Sequence, residues 1–392
     1  MIKTTVNKKQ LLSIIIFSLI IIQSLGIRFF HGQGFMLSLL IIILSLNKPN
    51  NKTIVAILFT TLFLFISTLL NPSFLIKDLF FQILIIISVG LFLNHYKFNP
   101  QKINYDLYVV LRLFVFHALL GYLIYLLIPN HFSRINIMNR SFLHIFYVSS
   151  SNFMGIARNT GIFWEPGVFQ LIANLYLFFT IKFHKKLLET MMAGLAVLTS
   201  FSTIGLIILI LNFLYFLYIK IKEHKFRIHL VAPIVIAFIL IFPLIKGNAL
   251  QKMDGHNTSG LIRYRDFLIG IELIKERPLA GHGYITSNYL NSKTYVTNIQ
   301  HDLFTDEFIS TSGYMGGGYT NGLLSLFILY GIPLGILILF SLFKNTFIGS
   351  STIERIIFFL IVTLSLISEP ISSTSFFFLF PLSTIILKIS NH

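Results

Sequence analysis

The sequence predicts an all-α polytopic membrane protein with about 12 transmembrane helices, within a range of 10–12, and one large outer loop that contains an amphipathic helix. Hydrophobic residues make up 55% of the 392 residues, the mean hydropathy is +0.81 and only 11% of residues are charged, against about 25% in soluble domains. A bilayer span needs about 20 apolar residues. The apolar runs are continuous rather than alternating, which favours helices over barrel strands. Residues 1–392 are therefore predicted to form a single transmembrane domain.

The predicted spans follow one another with short connections over most of the chain. The second span is the least regular, because Arg28, His31, Gly32 and Gly34 interrupt it. The turn at residues 200–202 can be a break within one helix, so counts of ten or eleven spans stay open beside twelve. The spans are expected near residues 11–27, 29–46, 54–70, 74–94, 105–127, 162–181, 187–200, 202–219, 228–245, 321–343, 354–368 and 372–389.

The distribution of lysine predicts that both termini are cytoplasmic. Lys and Arg in short loops concentrate on the cytoplasmic side of a membrane. The short connections at 71–73, 200–202 and 369–371 carry neither residue and are expected outside. With the N-terminus inside, twelve spans place the following residues on the cytoplasmic side: Lys48, Lys52, Lys97, Lys102, Lys182, Lys185, Lys186, Lys220, Lys222, Lys225, Arg227, Lys344, Arg355 and Lys388.

Two outer segments are longer than a simple turn: an outer loop at 128–161 and a large outer loop at 246–320. Long loops in a compact protein are usually functional, so the chemistry is expected there. The net charge of +16 does not predict nucleic-acid binding, because no soluble domain is predicted that would carry a basic patch. Cysteine is absent, which excludes disulfides, zinc–thiolate sites and cysteine nucleophiles.

Arginine is distributed differently from lysine. Eight of the ten arginines lie on the expected outer side or within a span, where the charge rule does not favour them. A guanidinium binds phosphate or carboxylate through two parallel hydrogen bonds and is weakly hydrated, so these residues predict an anionic ligand on the outer face. The alternative is contact with lipid headgroups and local ion pairs. The eight are Arg28, Arg112, Arg134, Arg140, Arg158, Arg263, Arg265 and Arg277.

The segment 158–167 combines a cation, an acid, the only tryptophan and helix-boundary residues in the order RNTGIFWEPG. Pro166 suits the first turn of a helix, which would hold Glu165 at the positive end of the helix dipole. An acid at the membrane edge favours a functional role. The structural alternative is a helix cap with Trp164 as an interface anchor.

The large loop contains a predicted amphipathic helix from Gly260 to Glu276, stopped by Pro278. Its apolar face would consist of Leu261, Tyr264, Leu268 and Ile271, and such a helix can lie on the membrane. Near its start, Arg263 and Arg265 are candidates for contacting an anionic group at headgroup level. The alternative is a lid helix whose cations contact lipid phosphate.

Three segments together resemble the O-antigen polymerase and ligase superfamily, with Wzy-type repeat-unit polymerases the closest. The first is the Arg-x-x-Gly-x-Phe-x-Glu-Pro-Gly form of residues 158–167, and the second is the Ser/Thr-Gly signature at 199–205. The third is a series of motifs at 259–266, 276–283, 320–322 and 331–335. The resemblance covers about the last 60% of the chain. Ligase-like members carry His-Asn where this chain has Tyr319, Thr320 and Asn321.

The resemblance implies a glycosyltransferase at the outer face of the bacterial cytoplasmic (inner) membrane, with undecaprenyl-diphosphate-linked oligosaccharides as donor and acceptor. The general base stays open among Glu165, His282 and His301. The reaction is expected to invert the anomeric centre and to need no metal or other cofactor. Membrane lipid and a chain-length regulator are the other expected partners, and nucleic acid is not expected. Arg158, Arg263, Arg265 and Arg140 are expected to bind the diphosphate, and Trp164, Tyr319 and Asn321 to bind sugar.

Three rival functions stay beside the polymerase. An O-antigen ligase of the same superfamily would transfer glycan to lipid A-core or to protein, but the Glu-Pro-Gly motif and the missing His-Asn argue against it. A lipid-linked repeat-unit flippase would need charges along a central path, and only Asp78 and Arg112 suggest one. A peptidoglycan polymerase of the RodA type would share the lipid donor, but its motifs are not recognisable here.

Overall fold

The computed structural model describes the greater part of the chain. The described residues are 8–30, 32–46, 49–70, 76–96, 99–135, 140–153, 155–223, 258–283, 320–345 and 351–390, together with 243, 246–247 and 348–349. The predicted span at 228–245 lies almost wholly outside them, as do His301 and Tyr319. Most of the large outer loop is also outside them.

The described part is mostly helical, and each of the other predicted spans coincides with a helix. The amphipathic helix predicted in the large loop is also present. The helices are α1 (Lys8–Leu25), α2 (Gln33–Ser45), α3 (Asn51–Leu69), α4 (Ile76–His95), α5 (Pro100–Leu127), α6 (Pro166–Lys182), α7 (Leu187–Thr199), α8 (Thr203–Lys222), α9 (Thr258–Glu276), α10 (Gly322–Phe343), α11 (Thr352–Ser368) and α12 (Ser375–Ser390).

Four of the described helices, α1, α5, α8 and α10, are long and apolar enough to cross a membrane. Shorter apolar helices accompany them, including α2, α7 and much of α12. These helices confirm the membrane-protein character of the chain. The total of twelve spans, the single domain and the sidedness of the loops stay predictions.

The segment 128–161, which was predicted to lie outside, departs from the predicted all-α class because it contains a small antiparallel sheet. Its strands are β1 (Ser133–Ile135), β2 (Arg140–Leu143), β3 (Phe146–Phe153) and β4 (Ile156–Asn159), in spatial order β1-β2-β3-β4. Leu143, Phe146 and Val148 pack with Tyr122 of α5. The prediction considered only continuous apolar runs, whereas these strands are short and β3 contains three consecutive serines.

The chain divides into two compact units. The first contains residues 1–37, 99–251 and 346–365. Its central element is α6, in which every residue from Pro166 to Ile181 is buried. Helices α5, α7 and α8 pack against α6, α1 packs against α5, and the sheet packs against α5.

The second unit contains residues 38–98, 252–345 and 366–392. Here α12 packs against α3, α4 and α10, and α9 packs against α10. Helix α10 is interrupted at Gly331, whose backbone has a φ of +75°, with Pro333 two residues later. A proline cannot donate the helical hydrogen bond, and a φ in this region favours glycine, so the kink follows from these two residues.

Candidate functional site

Arg158 connects the segment 158–167 to the segment 199–205. It lies at the end of β4, where its Nε donates to the carbonyl oxygen of Ser200 and its Nη2 to that of Phe201, each at 3.1 Å. Next to it, the Asn159 side-chain amide donates to the Thr199 hydroxyl at 3.2 Å. The segments 158–167 and 199–205 are thus brought together, although about forty residues separate them. The turn 200–202 is a true connection between α7 and α8.

Glu165 stands immediately before α6, with Pro166 as the first helical residue. Its backbone carbonyl accepts from the amides of Val168 and Phe169, each at 3.1 Å. The carboxylate makes no capping hydrogen bond and the residue is exposed. Glu165 is therefore an N-cap by backbone position, but its carboxylate is not used in capping. This position places the carboxylate at the amino end of a buried helix.

The end of α1 supports this motif from one side. The amide of Ile27 donates to the carbonyl of Ile162 at 2.9 Å, and the amide of Trp164 donates to the carbonyl of Leu25 at 3.3 Å. The next residue, Arg28, is exposed, and its guanidinium carbon lies 5.9 Å from the centroid of the Trp164 ring. This is within the range of a cation–π interaction.

Arg28 is the residue that sequence reasoning missed at this site. It is one of the arginines predicted to lie outside or within a span, but 130 residues of sequence separate it from Arg158, and its place beside Trp164 depends on the packing of α1. The only indication in the sequence was the residue type, since Arg28 is an arginine in a region predicted to contain little lysine. By contrast, the Arg158 guanidinium is already engaged with two backbone carbonyls.

Gly205, in the segment 199–205, lies where α8 packs closely against α6 beside a group of buried polar side chains. A Cβ on Gly205 would lie 2.8 Å from the Cβ of Gln170, so only glycine allows α8 to approach α6 this closely. The carbonyl of Gly205 accepts from the Asn174 amide at 3.2 Å, and the Gln170 amide donates to the Ser365 hydroxyl at 3.3 Å. Buried polar groups need such partners, and these fix α6, α8 and α11 below Glu165.

The second unit holds the other candidate residues around the start of α10. Asn321 is the N-cap of α10, and its Oδ1 accepts from the amides of Leu323 and Leu324 at 3.0 Å. The amide of Thr320 donates to the carboxylate of Asp266 in α9 at 3.1 Å. Arg263 lies half-buried in the first part of α9. Helix α9 is therefore hydrogen-bonded to the residue that precedes the amino end of α10.

The buried residues of α9 are not those of the predicted apolar face. Asp266, Ile269 and Leu273 are buried, while Tyr264 of the predicted apolar face is 53% exposed. Leu268 and Ile271 of the predicted face are half-buried, so among its described side chains only Tyr264 is exposed. The side chains of Arg265 and Arg140 lie outside the described part of the structure, although their backbones lie in α9 and β2.

His282 is fully buried beneath the C-terminal end of α9. Its Nε2 lies 2.8 Å from the carbonyl oxygen of Leu273, and 4.0 Å from the carboxylate of Glu276. Its own amide donates to the carbonyl of Ile328 at 2.7 Å, next to the kink of α10. The ring therefore holds this segment to α9, and the backbone amide holds it to α10. A role as base stays a prediction.

Two other arginines of the set that predicted an anionic ligand have local partners. Arg277 Nη1 donates to the carbonyl of Leu70 at the end of α3 at 2.8 Å, and Arg112 pairs with Glu189 at 3.5 Å. A cation at the carboxyl end of a helix is favoured by the helix dipole. Local contacts within the protein therefore account for Arg277 and Arg112 without an anionic ligand. Among the described residues, no group of three or more His, Asp or Glu could hold a metal ion.

The candidate residues thus form two sets. Arg158, Trp164 and Glu165, together with Arg28, belong to the first unit. Arg263, His282 and Asn321 belong to the second.

A comparison with known protein families covers part of the region that holds these two sets of residues. Residues 190–339 match the family model described as O-antigen ligase. This match confirms the resemblance to the O-antigen polymerase and ligase superfamily. The matched region contains the 199–205 signature, α9, the His282 segment and most of α10, but not the segment 158–167. The contacts of Arg158 connect that outlying segment to the matched region. No curated protein matches the chain.

The family match gives the coarse function. Together with the apolar helices, it indicates a membrane enzyme of the glycosyl-transfer type. The description of the family does not separate a ligase from a polymerase.

Proposed function

We propose that this protein polymerises undecaprenyl-diphosphate-linked oligosaccharide repeat units, in the synthesis of O-antigen or of a capsular or other exopolysaccharide. The transfer would take place at the outer face of the cytoplasmic membrane. The observation that supports it best is the exposed Glu165 carboxylate, unused in capping and held at the start of a fully buried helix. Hydrogen bonds from Arg158 join its motif to the region of the family match.

In the proposed reaction, the Glu165 carboxylate accepts the proton of an acceptor sugar hydroxyl as the oxygen attacks the anomeric carbon of the donor. The bond from that carbon to the diphosphate oxygen breaks, and its electron pair leaves with undecaprenyl diphosphate. One displacement inverts the anomeric centre. A base positioned within hydrogen-bond reach of the hydroxyl contributes typically 10²–10⁴-fold to such a reaction.

An exposed arginine beside the motif, Arg28, would stabilise the leaving group. Its guanidinium lies over the ring of Trp164. The contacts of Arg263 and Arg265 with the diphosphate stay predictions. Charge on a departing diphosphate is best stabilised by donors that are already in place. Arg158 contributes by fixing the turn 200–202, and its own contact with the diphosphate stays a prediction, as does that of Arg140.

The ligase is the second candidate, because the matched family model carries that description. The sequence Tyr319-Thr320-Asn321 lacks the histidine that ligase-like members have before this asparagine. Asn321 is used as the N-cap of α10, a role that either enzyme can share. The absence of that histidine favours the polymerase.

A deletion strain separates the two functions. With a polymerase missing, the lipid core or final acceptor should carry single repeat units and no ladder. With a ligase missing, polymer should accumulate on undecaprenyl diphosphate and the final acceptor should stay bare. The first result supports the proposal, and the second replaces it with the ligase.

A further inference from the structure

The outer sheet carries a second, aromatic face that its packing on α5 does not use. In the β2–β3 ladder, Leu143 pairs with Phe146 and Phe142 pairs with Tyr147. Because side chains alternate along a strand, these two pairs lie on opposite faces. Leu143 and Phe146 pack into the core cluster with Tyr122, which leaves Phe142 and Tyr147 on the other face.

Three rings follow one another on this face. The rings of Phe142 and Tyr147 lie 6.4 Å apart with 19° between their planes, and the ring of Phe29 lies 6.0 Å from that of Tyr147. Both distances suit favourable aromatic pairs. Phe29 is 49% exposed, and Phe142 and Tyr147 are half-buried. We name Phe29, Phe142 and Tyr147 the aromatic strip.

The aromatic strip is continuous with the proposed active site. Phe29 directly follows Arg28, the guanidinium of Arg28 lies over the Trp164 ring, and Trp164 directly precedes Glu165. One uninterrupted series of contacts therefore leads from the Glu165 motif to the far ring of the strip, all within the first unit.

We propose that the aromatic strip is a binding subsite for the glycan chain during transfer, with sugar residues stacked on its rings. This inference rests on the proposed function. The axial C–H groups of a pyranose form a weakly apolar face, and the face of an aromatic ring is electronegative. A flat ring therefore binds a sugar face while the sugar hydroxyls stay in water. The bound glycan extends from the Arg28 and Glu165 end, where the reacting bond lies, over the sheet.

A simple membrane anchor is the competing explanation, since aromatic residues also concentrate at membrane interfaces. The two explanations demand different side chains. An anchor needs apolar bulk, which leucine supplies, whereas stacking needs a flat ring. Tyr147→Leu, Tyr147→Phe and Phe29→Leu therefore separate them. Ile145→Ala is the matched control, because Ile145 is 61% exposed at the turn between β2 and β3 and has no ring.

The test uses the purified protein in nanodiscs and, as probe, lipid-free oligosaccharide released by mild acid from the host's own polysaccharide. Trp164 is the only tryptophan, so its fluorescence reports binding beside the strip. Tyr147→Leu and Phe29→Leu should each weaken binding roughly two- to tenfold, the range expected for loss of aromatic stacking. Tyr147→Phe and Ile145→Ala should bind as the wild type. In cells, the two leucine variants should give shorter polymer ladders.

Equal binding by wild type and both leucine variants, with ladders of normal length, would overturn the glycan subsite. Equal weakening by Ile145→Ala would overturn it in favour of an anchor. Binding is measured without turnover, so the result stands apart from the proposed activity. If a strain with the wild-type gene forms no polymer while the ring-dependent binding persists, the polymerase proposal fails and the glycan subsite does not.

Discussion

The guanidinium of Arg158 donates to the carbonyl oxygen of Phe201 at 3.1 Å, and this contact joins two segments that the family resemblance had identified independently. Phe201 itself has a φ of +47°, a conformation uncommon for a residue with a side chain. The turn between α7 and α8 is therefore held in an unfavourable backbone conformation by an arginine from β4.

This contact predicts the behaviour of Arg158→Lys. A lysine keeps the charge but cannot donate to both carbonyls in the geometry of a guanidinium. Loss of one such charged hydrogen bond costs about 1.5–3 kcal/mol. We expect a lower melting temperature in detergent together with a loss of transfer activity. Normal thermal stability with lost activity would instead indicate that Arg158 acts on the substrate alone.

The elements of the fold that follow from long apolar runs could be predicted from the sequence, and those that depend on tertiary packing could not. The helices α5, α8 and α10 follow from long apolar runs bounded by Asn99, Ser202 and Asn321, each of which caps its helix through a side-chain oxygen. The sheet at 133–159 gave no such signal. Its strands are short and partly polar, and only contact with Tyr122 and Phe132 shows which of their residues are buried.

The site was predictable in its residue types but not in its pairings. Glu165 and Pro166 are adjacent in sequence, so their place at the start of α6 followed from helix-boundary rules. Arg28 reaches Trp164 only because α1 ends beside residues 162–164, which no local pattern encodes. The number of arginines in segments predicted to be outside indicated an anion site, but it did not separate Arg28 from Arg277, which donates to the carbonyl at the end of α3.

Topology is a separate prediction, and the absence of cysteine makes it simple to test. Single cysteines near Lys185, Lys222 and His392 should react only with permeant reagents, since lysine-rich loops are expected in the cytoplasm. Cysteines near Asn152 and Asn298 should react with impermeant reagents added outside. Position 152 lies in β3, so it also reports the side of the sheet. A cytoplasmic position 298 would contradict the outer-face site.

Arg263 and Arg265 should not be equivalent. They lie two residues apart in α9, and residues at this spacing do not share a helical face. One Arg→Lys change should lower the transfer rate roughly tenfold to hundredfold, because a bidentate contact is worth about 1.5–3 kcal/mol. The other should tolerate lysine. The measurement is single-turnover transfer with purified protein and a lipid-linked repeat. Near-normal rates in both lysine and both alanine variants would limit these residues to holding the loop on the membrane.

His282→Gln tests whether this histidine is a base or a structural link. The ring is buried and its Nε2 lies 2.8 Å from the Leu273 carbonyl, so we expect a lower melting temperature. Gly331→Ala is the matched comparison, because its Cβ would lie 2.3 Å from the carbonyl oxygen of Leu279 in the same link. Both variants should be destabilised and lose activity in proportion. An inactive His282→Gln with unchanged stability would identify His282 as the base.

The measurement that tests the account most directly is the product ladder formed by purified wild-type and Glu165→Gln proteins from a defined undecaprenyl-diphosphate-linked repeat. The substitution removes the charge with little change of shape, and the carboxylate makes no capping bond, so the variant should insert, fold and melt as the wild type does. The wild type should form lipid-linked multiples of the repeat, and Glu165→Gln should form none. A wild-type ladder from Glu165→Gln at equal protein level would contradict the account and reduce Glu165 to a helix boundary.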